Sequence, residues 1–406
     1  MLTSLAYIFL LGLLLGGIAQ KLRLPPLVGM LLTGVVLGPY ALGLLDPSIL
    51  SISADLRQLA LIVILARAGL SLDLADLKRV GRPAVLMCFV PACFEIAGMV
   101  LLAPRLLGLT TLEAAIMGAV VGAVSPAVIV PKMLDLMERG YGTAHSIPQL
   151  ILAGASVDDV FVIVLFTAFT GMAQGQAVGA GSLVQVPVSI LLGLAAGALV
   201  GTALAGLFRR VHMRDSVKVV ILLSVGFLLV AAENGLKGTL PFSGLLGVMS
   251  MGLSLQRRRL VVAQRLSAKF SKLWVAAELV LFVLVGAAVD VRYALSAGVA
   301  AVLVVLGALV FRVAGVALCL VGTPLTGRER LFCMIGYLPK ATVQAAIGGI
   351  PLALGLPCGQ MVLTVAVLAI LITAPLGALG IDLTYRRLLE KPSPRGEGGI
   401  CEANDG

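Results

Sequence analysis

The sequence predicts an all-α, polytopic membrane protein, and its composition is the first reason. Of the 406 residues, 60% are hydrophobic and 12% are charged, and the mean hydropathy is +1.09. Soluble domains carry about 25% charged residues and about half apolar residues. The second reason is that apolar stretches of about 20 residues, each enough to cross a hydrocarbon core of about 30 Å, recur along the chain. We therefore expect membrane-spanning helices and no separate soluble domain.

About 13 transmembrane spans are predicted from these stretches. Their approximate ranges are 3–20, 27–45, 56–72, 84–104, 111–135, 147–173, 183–208, 217–234, 240–256, 270–289, 296–321, 331–354 and 359–384. The first span has no basic segment ahead of it and no small-residue cleavage site, so we expect a helix rather than a signal peptide. The tail 391–406 is rich in Gly and charge, which is typical of a disordered segment.

The distribution of Lys and Arg predicts the orientation in the membrane. Of the 30 such residues, 23 fall in the tail and in loops on one side, and four fall on the other side. The remaining three, Arg67, Arg312 and Lys340, fall within spans. Cytoplasmic loops carry the excess of positive charge. We therefore expect a multi-pass protein of the cell (inner) membrane, with the N-terminus outside and the C-terminus in the cytoplasm, and no nucleic-acid partner for the net charge of +10.

Two spans carry residues that interrupt a helix. Span 5 contains Pro126 and Pro131, and span 12 contains Pro339 followed by two glycines. One intramembrane proline normally produces only a kink. If span 7 is a linker, however, spans 1–6 and 8–13 form two inverted six-helix repeats, and each interrupted span is the fifth of its repeat. Interrupted helices at matching positions of inverted repeats indicate a transporter binding site.

Asp158 and Asp159 are adjacent near the middle of span 6, with apolar sequence on both sides. One aspartate at the bilayer centre costs about 2.5–3.5 kcal/mol on insertion scales, so two indicate a functional site. The ionised pair can bind a cation through oxygen or can take up a proton. Either event neutralises the site, which is costly to move through the membrane interior while it is charged. The pattern therefore predicts that cation flux and proton flux are coupled and run in opposite directions. Ser125, Ser156 and Thr342 are candidate additional oxygen ligands.

Three further charges lie within the predicted spans. Glu95 and Arg312 are in the fourth spans of the two repeats and have opposite sign, so we expect a buried ion pair. Lys340 lies at the interruption of span 12. Its ammonium is expected to neutralise the negative end of a half-helix or to pair with one of the aspartates.

The stretch 122–163, which reads GAVSPAVIVPKMLDLMERGYGTAHSIPQLILAGASVDDVFVI, closely resembles the NHA branch of the cation/proton antiporters. The segments ARAGLSLD (66–73) and LPKATVQAA (338–346) resemble other signatures of that branch. The resemblance implies sodium/proton exchange, a homodimer, and an antiporter fold with crossed broken helices. It implies that Asp158 and Asp159 bind the ion and that Glu95 and Arg312 form a buried pair.

The resemblance also implies a division into a dimer scaffold and a core that moves like an elevator. The expected parts are scaffold helices in 1–80 and 213–292, core helices in 81–175 and 293–390, a linker helix in 176–212 and a cytoplasmic tail in 391–406. Arg312 stands where more distant electrogenic bacterial antiporters carry a lysine. Because arginine stays protonated, we expect one proton to be exchanged for one cation.

Alternatives remain open from the sequence. The cation could be Na⁺, Li⁺ or K⁺, because the choice depends on cavity dimensions. A sodium-coupled symporter of an organic anion would need arginines in its pocket, and only Arg67 and Arg312 are available. An enzyme is not expected, because the chain has no His/Asp metal set, no GxSxG motif and no cofactor motif. Apart from the transported cation and H⁺, no cofactor is expected.

Overall fold

A computed structural model describes residues 1–71, 81–174, 180–236 and 242–390, and within these ranges every regular element is a helix. The all-α prediction is therefore confirmed. We number the helices in chain order as α1 (Leu2–Lys21), α2 (Pro26–Leu37), α3 (Pro47–Ser51), α4 (Ser53–Ser71), α5 (Arg82–Met87), α6 (Val90–Leu107), α7 (Thr111–Val121), α8 (Pro126–Glu138), α9 (Ile147–Ala173), α10 (Ala180–Arg210), α11 (Asp215–Gly235), α12 (Gly244–Arg258), α13 (Leu260–Ala287), α14 (Val291–Cys319), α15 (Gly327–Gly336), α16 (Thr342–Ile347), α17 (Ile350–Ala353) and α18 (Gly359–Leu388).

Nine helical stretches in the described ranges are long and apolar enough to cross a membrane. Two shorter apolar stretches, Pro26–Leu37 and Thr342–Ala353, accompany them. Each of the 13 predicted spans overlaps at least one helix, but several of these helices are short or interrupted. The exact number of membrane crossings therefore stays a prediction.

The first interruption separates α7 from α8. Helix α7 begins with a capping box between Thr110 and Glu113 and ends at Val121. Pro126 is the first residue of α8, where the missing N–H of proline is tolerated because that position has no intrahelical acceptor. Pro131 lies inside α8, so it is not part of the break itself. The interruption is the short segment 122–125.

The second interruption separates α15 from α16 and contains Pro339. Helix α18 packs tightly on it: a Cβ at Gly377 would lie 2.2 Å from the Pro339 side chain, so only glycine permits this approach. The hydroxyl of Thr373, also on α18, accepts a hydrogen bond of 2.9 Å from the Lys340 backbone N–H. The two interruptions meet, because the Ser125 N–H donates to the Pro339 carbonyl at 2.8 Å.

The described helices pack in two groups. One group contains α1–α4 and α10–α13, and the other contains α5–α9 and α14–α18. The main contacts between the groups are made by α16 with α4 and α13, by α18 with α2, and by α9 with α10. Both interruptions lie in the second group, and α16 brings one of them to the boundary.

Close glycine contacts hold the first group together. Gly193, Gly197 and Gly201 occur at four-residue spacing on α10, a spacing that predicts close helix packing. A Cβ at these positions would lie 2.5, 2.2 and 2.4 Å, respectively, from the backbone oxygens of Ser243, which caps α12, and of Gly247 and Met251 within it. The prediction of close packing is therefore confirmed, with α12 as the neighbour.

Candidate functional site

The two adjacent aspartates lie near the middle of the unbroken helix α9, which packs beside both α7 and α8. Asp158 is fully buried, whereas Asp159 is only partly buried. The Asp158 Oδ2 atom accepts a hydrogen bond of 2.9 Å from the Val124 N–H, which belongs to the first interruption. It accepts a second bond of 2.9 Å from Arg312 Nη2 on α14. Asp158 is therefore held by a backbone donor and by a cation.

Arg312 is fully buried and donates to four acceptors. Its Nη2 contacts Asp158, and its Nη1 lies 2.8 Å from Glu95 Oε2 on α6. Nη1 also donates to the Gly122 carbonyl, and Nε donates to the Tyr337 carbonyl at 2.7 Å. Gly122 and Tyr337 are the C-terminal caps of α7 and α15. The guanidinium thus neutralises the negative ends of both half-helices as well as two carboxylates.

This arrangement differs from the prediction for Lys340. The Lys340 ammonium contacts Glu95 Oε2 at 2.8 Å and the Ala123 carbonyl at 3.4 Å. Among the described residues its ion-pair partner is Glu95, not an aspartate, and most of the contact with the half-helix ends is made by Arg312. The structure does bring Glu95 and Arg312 into contact, but the two do not form an isolated pair.

The buried charges form a chain of alternating sign: Asp158, Arg312, Glu95 and Lys340. Two negative and two positive groups leave this chain neutral. Because an uncompensated buried charge is strongly unfavourable, this balance explains how four ionisable side chains can share an apolar interior. Asp159 is outside the chain of contacts, and its Oδ1 is buried without a hydrogen-bond partner in the described part of the protein.

Several oxygen atoms of the site share this lack of a partner. Within the described ranges they are Glu95 Oε1, Asp158 Oδ1, Asp159 Oδ1, Ser125 Oγ, Thr342 Oγ1 and Gln344 Oε1. Each unsatisfied buried polar atom costs about 1–3 kcal/mol. A cation bound by oxygen, or a proton on a carboxylate, would satisfy such atoms. The side chain of Ser156 lies outside the part of the chain that the structure describes.

Sequence reasoning missed two features of this site. The first is the contact between Arg312 and Asp158. The second is Gln344, which is completely buried at the start of α16 and donates to the carbonyls of Val121, at the end of α7, and Ala123, in the first interruption. The available signal for Gln344 was its position: an amide two residues after Thr342, in an otherwise apolar fragment that follows the break.

A separate contact lies at the loop end of α15, before the predicted span 331–354. Glu329 caps this helix with Thr326, and its Oε1 lies 2.8 Å from His145 Nδ1 in the loop between α8 and α9. Burial opposes the charge on Glu329, but the hydrogen bonds from His145 and Thr326 outweigh it and hold the pKa of Glu329 below its ordinary value. The contact joins a loop of the first repeat to the N-terminal turn of α15 in the second.

Interrupted helices that meet beside buried carboxylates define the class of secondary transporters with inverted repeats. A family model described as "Sodium/hydrogen exchanger, transmembrane" matches residues 7–385, and the chain belongs to this family. The chain is 34% identical to sodium/hydrogen exchanger 9B2 of Mus musculus over 389 residues, which cover 92% of this chain and 70% of the mouse protein. It is 30% identical to sodium/hydrogen exchanger 9B1 of Homo sapiens over 414 residues, covering 96% and 78% of the two chains.

The fold is also similar to that of a solved structure. The sodium proton antiporter MjNhaP1 from Methanocaldococcus jannaschii superposes with a TM-score of 0.84, covering 95% of this chain and 98% of that chain. The sequence identity is 21%, so this likeness is evidence for the fold. The predicted antiporter fold is confirmed.

Proposed function

We propose that this protein exchanges Na⁺ or Li⁺ for H⁺ across the membrane, with cation and proton competing for Asp158 and Asp159. One observation carries the proposal: the four buried charges from Asp158 to Lys340 balance one another, and Asp159 has a buried oxygen with no hydrogen-bond partner among the described residues. The group that neutralises Asp159 is then the transported species. A proton or a monovalent cation can each do so.

The oxygen atoms around the interruptions support cation binding. Asp159 is the proposed direct ligand, and Asp158 the second carboxylate. Ser125 directly precedes α8, and Thr342 is the first residue of α16. Neither hydroxyl has a hydrogen-bond partner in the described structure. Unwound backbone and half-helix ends are the usual ligands of coupling ions in transporters with broken helices.

Competition at one site is sufficient to couple the two fluxes. When the site binds Na⁺, the proton leaves; when it binds a proton, the cation leaves. The empty, ionised site cannot cross the membrane interior cheaply, because a charge in low dielectric loses its hydration. Only loaded forms change sides, so each turnover moves a cation one way and a proton the other way.

The proposed movement is an elevator-like shift of one helix group against the other. The core would comprise 81–175 and 293–390, and the scaffold 1–80 and 213–292, with 176–212 as the linker. The packing supports the separation of core from scaffold, because few helix pairs connect the two groups, and α10 in the linker packs on α12 of the scaffold. We also propose that the scaffold forms a homodimer in the cell (inner) membrane, with the N-terminus outside.

We propose that one proton is exchanged for one cation. Arg312 stays protonated and is held by four acceptors, so it supplies no second proton. Proteoliposomes in which K⁺ and valinomycin clamp the membrane potential measure this directly. The exchange rate and the final gradient should be independent of voltage; a voltage-dependent rate would indicate that Lys340 titrates or that both aspartates release protons.

The test of the exchange itself uses everted membrane vesicles with a pH-sensitive dye. Na⁺, Li⁺, K⁺ and choline are added in turn after respiration has acidified the interior, and a double Asp158→Asn, Asp159→Asn variant is the inactive control. Na⁺ and Li⁺ should dequench the dye, while choline should not. A larger response to K⁺ would make the protein a K⁺/H⁺ antiporter, and no response to any cation would favour an organic-anion symporter.

A further inference from the structure

Gln344 connects the two interrupted helices. It has no exposed surface, and its Nε2 donates to the Val121 carbonyl at 3.2 Å and to the Ala123 carbonyl at 2.9 Å. Val121 is the last residue of α7, so no backbone N–H of the same helix donates to its carbonyl. An amide from the second repeat thus satisfies carbonyls of the first.

The contacts fix the orientation of the Gln344 amide. Both N–H groups of Nε2 have an acceptor, and rotating the amide by 180° would place Oε1 against two carbonyl oxygens. In the assigned orientation Oε1 is buried without a hydrogen-bond partner in the described ranges. Methionine or leucine would fill a similar volume without this cost, so packing alone does not account for an amide at this position.

The Ala123 carbonyl belongs to the same peptide group as the Val124 N–H. Because a peptide group is planar, a donor that fixes the carbonyl also fixes the direction of the N–H. That N–H donates to Asp158 Oδ2 at 2.9 Å. Lys340 Nζ also approaches the Ala123 carbonyl, at 3.4 Å, which is longer than the Gln344 bond.

We propose that Gln344 is a positioning residue for ion binding. Its amide orients the peptide between Ala123 and Val124, and the Val124 N–H then holds Asp158 in the geometry that binds the cation. This inference rests on the proposed function, in which Asp158 is part of the site. Gln344 acts through the peptide group and does not itself need to touch the ion.

The test is Gln344→Met in purified, reconstituted protein, with Gln360→Met as the matched control. Gln360 is a half-buried glutamine on α18 whose amide nitrogen has no hydrogen-bond partner in the described structure. Gln344→Met should raise the KM for Na⁺ about tenfold, because the loss of one hydrogen bond to a charged group weakens binding by about that factor. The maximal rate should change less than about twofold. The control should leave both values unchanged.

A binding measurement separates this inference from the function on which it rests. Na⁺ should raise the melting temperature of the wild-type protein in detergent, because a ligand stabilises the state that binds it. Gln344→Met should need about tenfold more Na⁺ for the same rise. If this variant does not fold, the same measurements are made on Gln344→Leu.

An unchanged KM together with an unchanged Na⁺ dependence of melting would overturn the inference while leaving the exchange function intact. A lower maximal rate with the same KM would also overturn it, because that is the result expected of a purely structural residue. A wild-type protein that neither exchanges nor is stabilised by Na⁺ would instead refute the proposed function, and the role of Gln344 with it.

Discussion

Removal of Arg312 is the perturbation that best tests the architecture of the buried charges. In Arg312→Met, Glu95 keeps the ammonium of Lys340 as a partner, but among the described residues Asp158 keeps only the Val124 N–H. Removing one partner of a buried ion pair costs about 3–5 kcal/mol, because the other charge is stranded. The carbonyls of Gly122 and Tyr337 lose a donor as well, which adds about 1–3 kcal/mol for each that stays unsatisfied.

We therefore expect Arg312→Met to lower the free energy of unfolding by on the order of 5 kcal/mol. Arg312→Lys should be intermediate, because a lysine has three donors on a single atom and cannot span four acceptors. The measurement is unfolding in mixed micelles titrated with sodium dodecyl sulfate. Arg292→Met is the matched control, since Arg292 is an exposed arginine near the start of α14, before the kink at Gly298; it should stay within about 0.5 kcal/mol of wild type.

A double-mutant cycle identifies the partner. Asp158→Asn removes the charge that Arg312→Met strands, so the double variant should be about 2 kcal/mol more stable than the sum of the single losses predicts. The reasoning is refuted if the two losses are additive, or if Arg312→Met is no more destabilising than Arg292→Met. Either result would mean that the guanidinium does not hold Asp158.

Three further predictions follow from individual contacts. Asp159→Asn should abolish Na⁺-driven proton release, and Asp158→Asn should severely impair it, with melting temperatures that show both variants are folded; wild-type exchange in both purified variants would refute the site. Because the pKa of Glu329 is held below its ordinary value of 4.5, its contribution is present above that pH and is lost as the pH falls below it. Glu329→Gln should therefore flatten the acid-induced drop in melting temperature, and an unchanged pH profile would contradict this. Gly197→Ala should destabilise the protein by about 1–3 kcal/mol through overpacking, since its Cβ would lie 2.2 Å from a carbonyl oxygen of α12, whereas Gly206→Ala on the same helix meets nothing within 4 Å and should not.

The helical membrane architecture follows from the sequence because the bilayer imposes a simple rule. Each backbone polar group must be satisfied within its own segment, so long apolar stretches form helices. The same rule makes prolines and glycines inside a span conspicuous, and Pro126 and Pro339 indeed stand at the two interruptions. Pro104, Pro131 and Pro375 instead lie inside α6, α8 and α18 without a break, because the residue type does not determine whether neighbouring groups absorb the lost hydrogen bond.

The partners of the buried charges did not follow in the same way. Asp158 and Arg312 are separated by 154 residues, and Glu95 and Lys340 by 245. Opposite signs allow several pairings at such separations, and the sequence favoured an isolated pair of Glu95 with Arg312. The packing of α6, α7, α9 and α14 around the interruptions decides which side chains lie within 3 Å of one another.

The sequence by itself determined that this chain is an α-helical membrane protein, that two helices are interrupted, and that charges occur where lipid would exclude them. Each of these properties depends on residue type and on spacing along one segment, and the cost of a charge or a free backbone group in hydrocarbon is the same in any fold. Only the tertiary structure decided that Arg312 binds Asp158, that Lys340 binds Glu95 and that Gln344 joins the interruptions. Those contacts depend on distances between helices far apart in the chain. A hydrogen bond forms only when the donor–acceptor distance is within a few tenths of an ångström of about 2.9 Å.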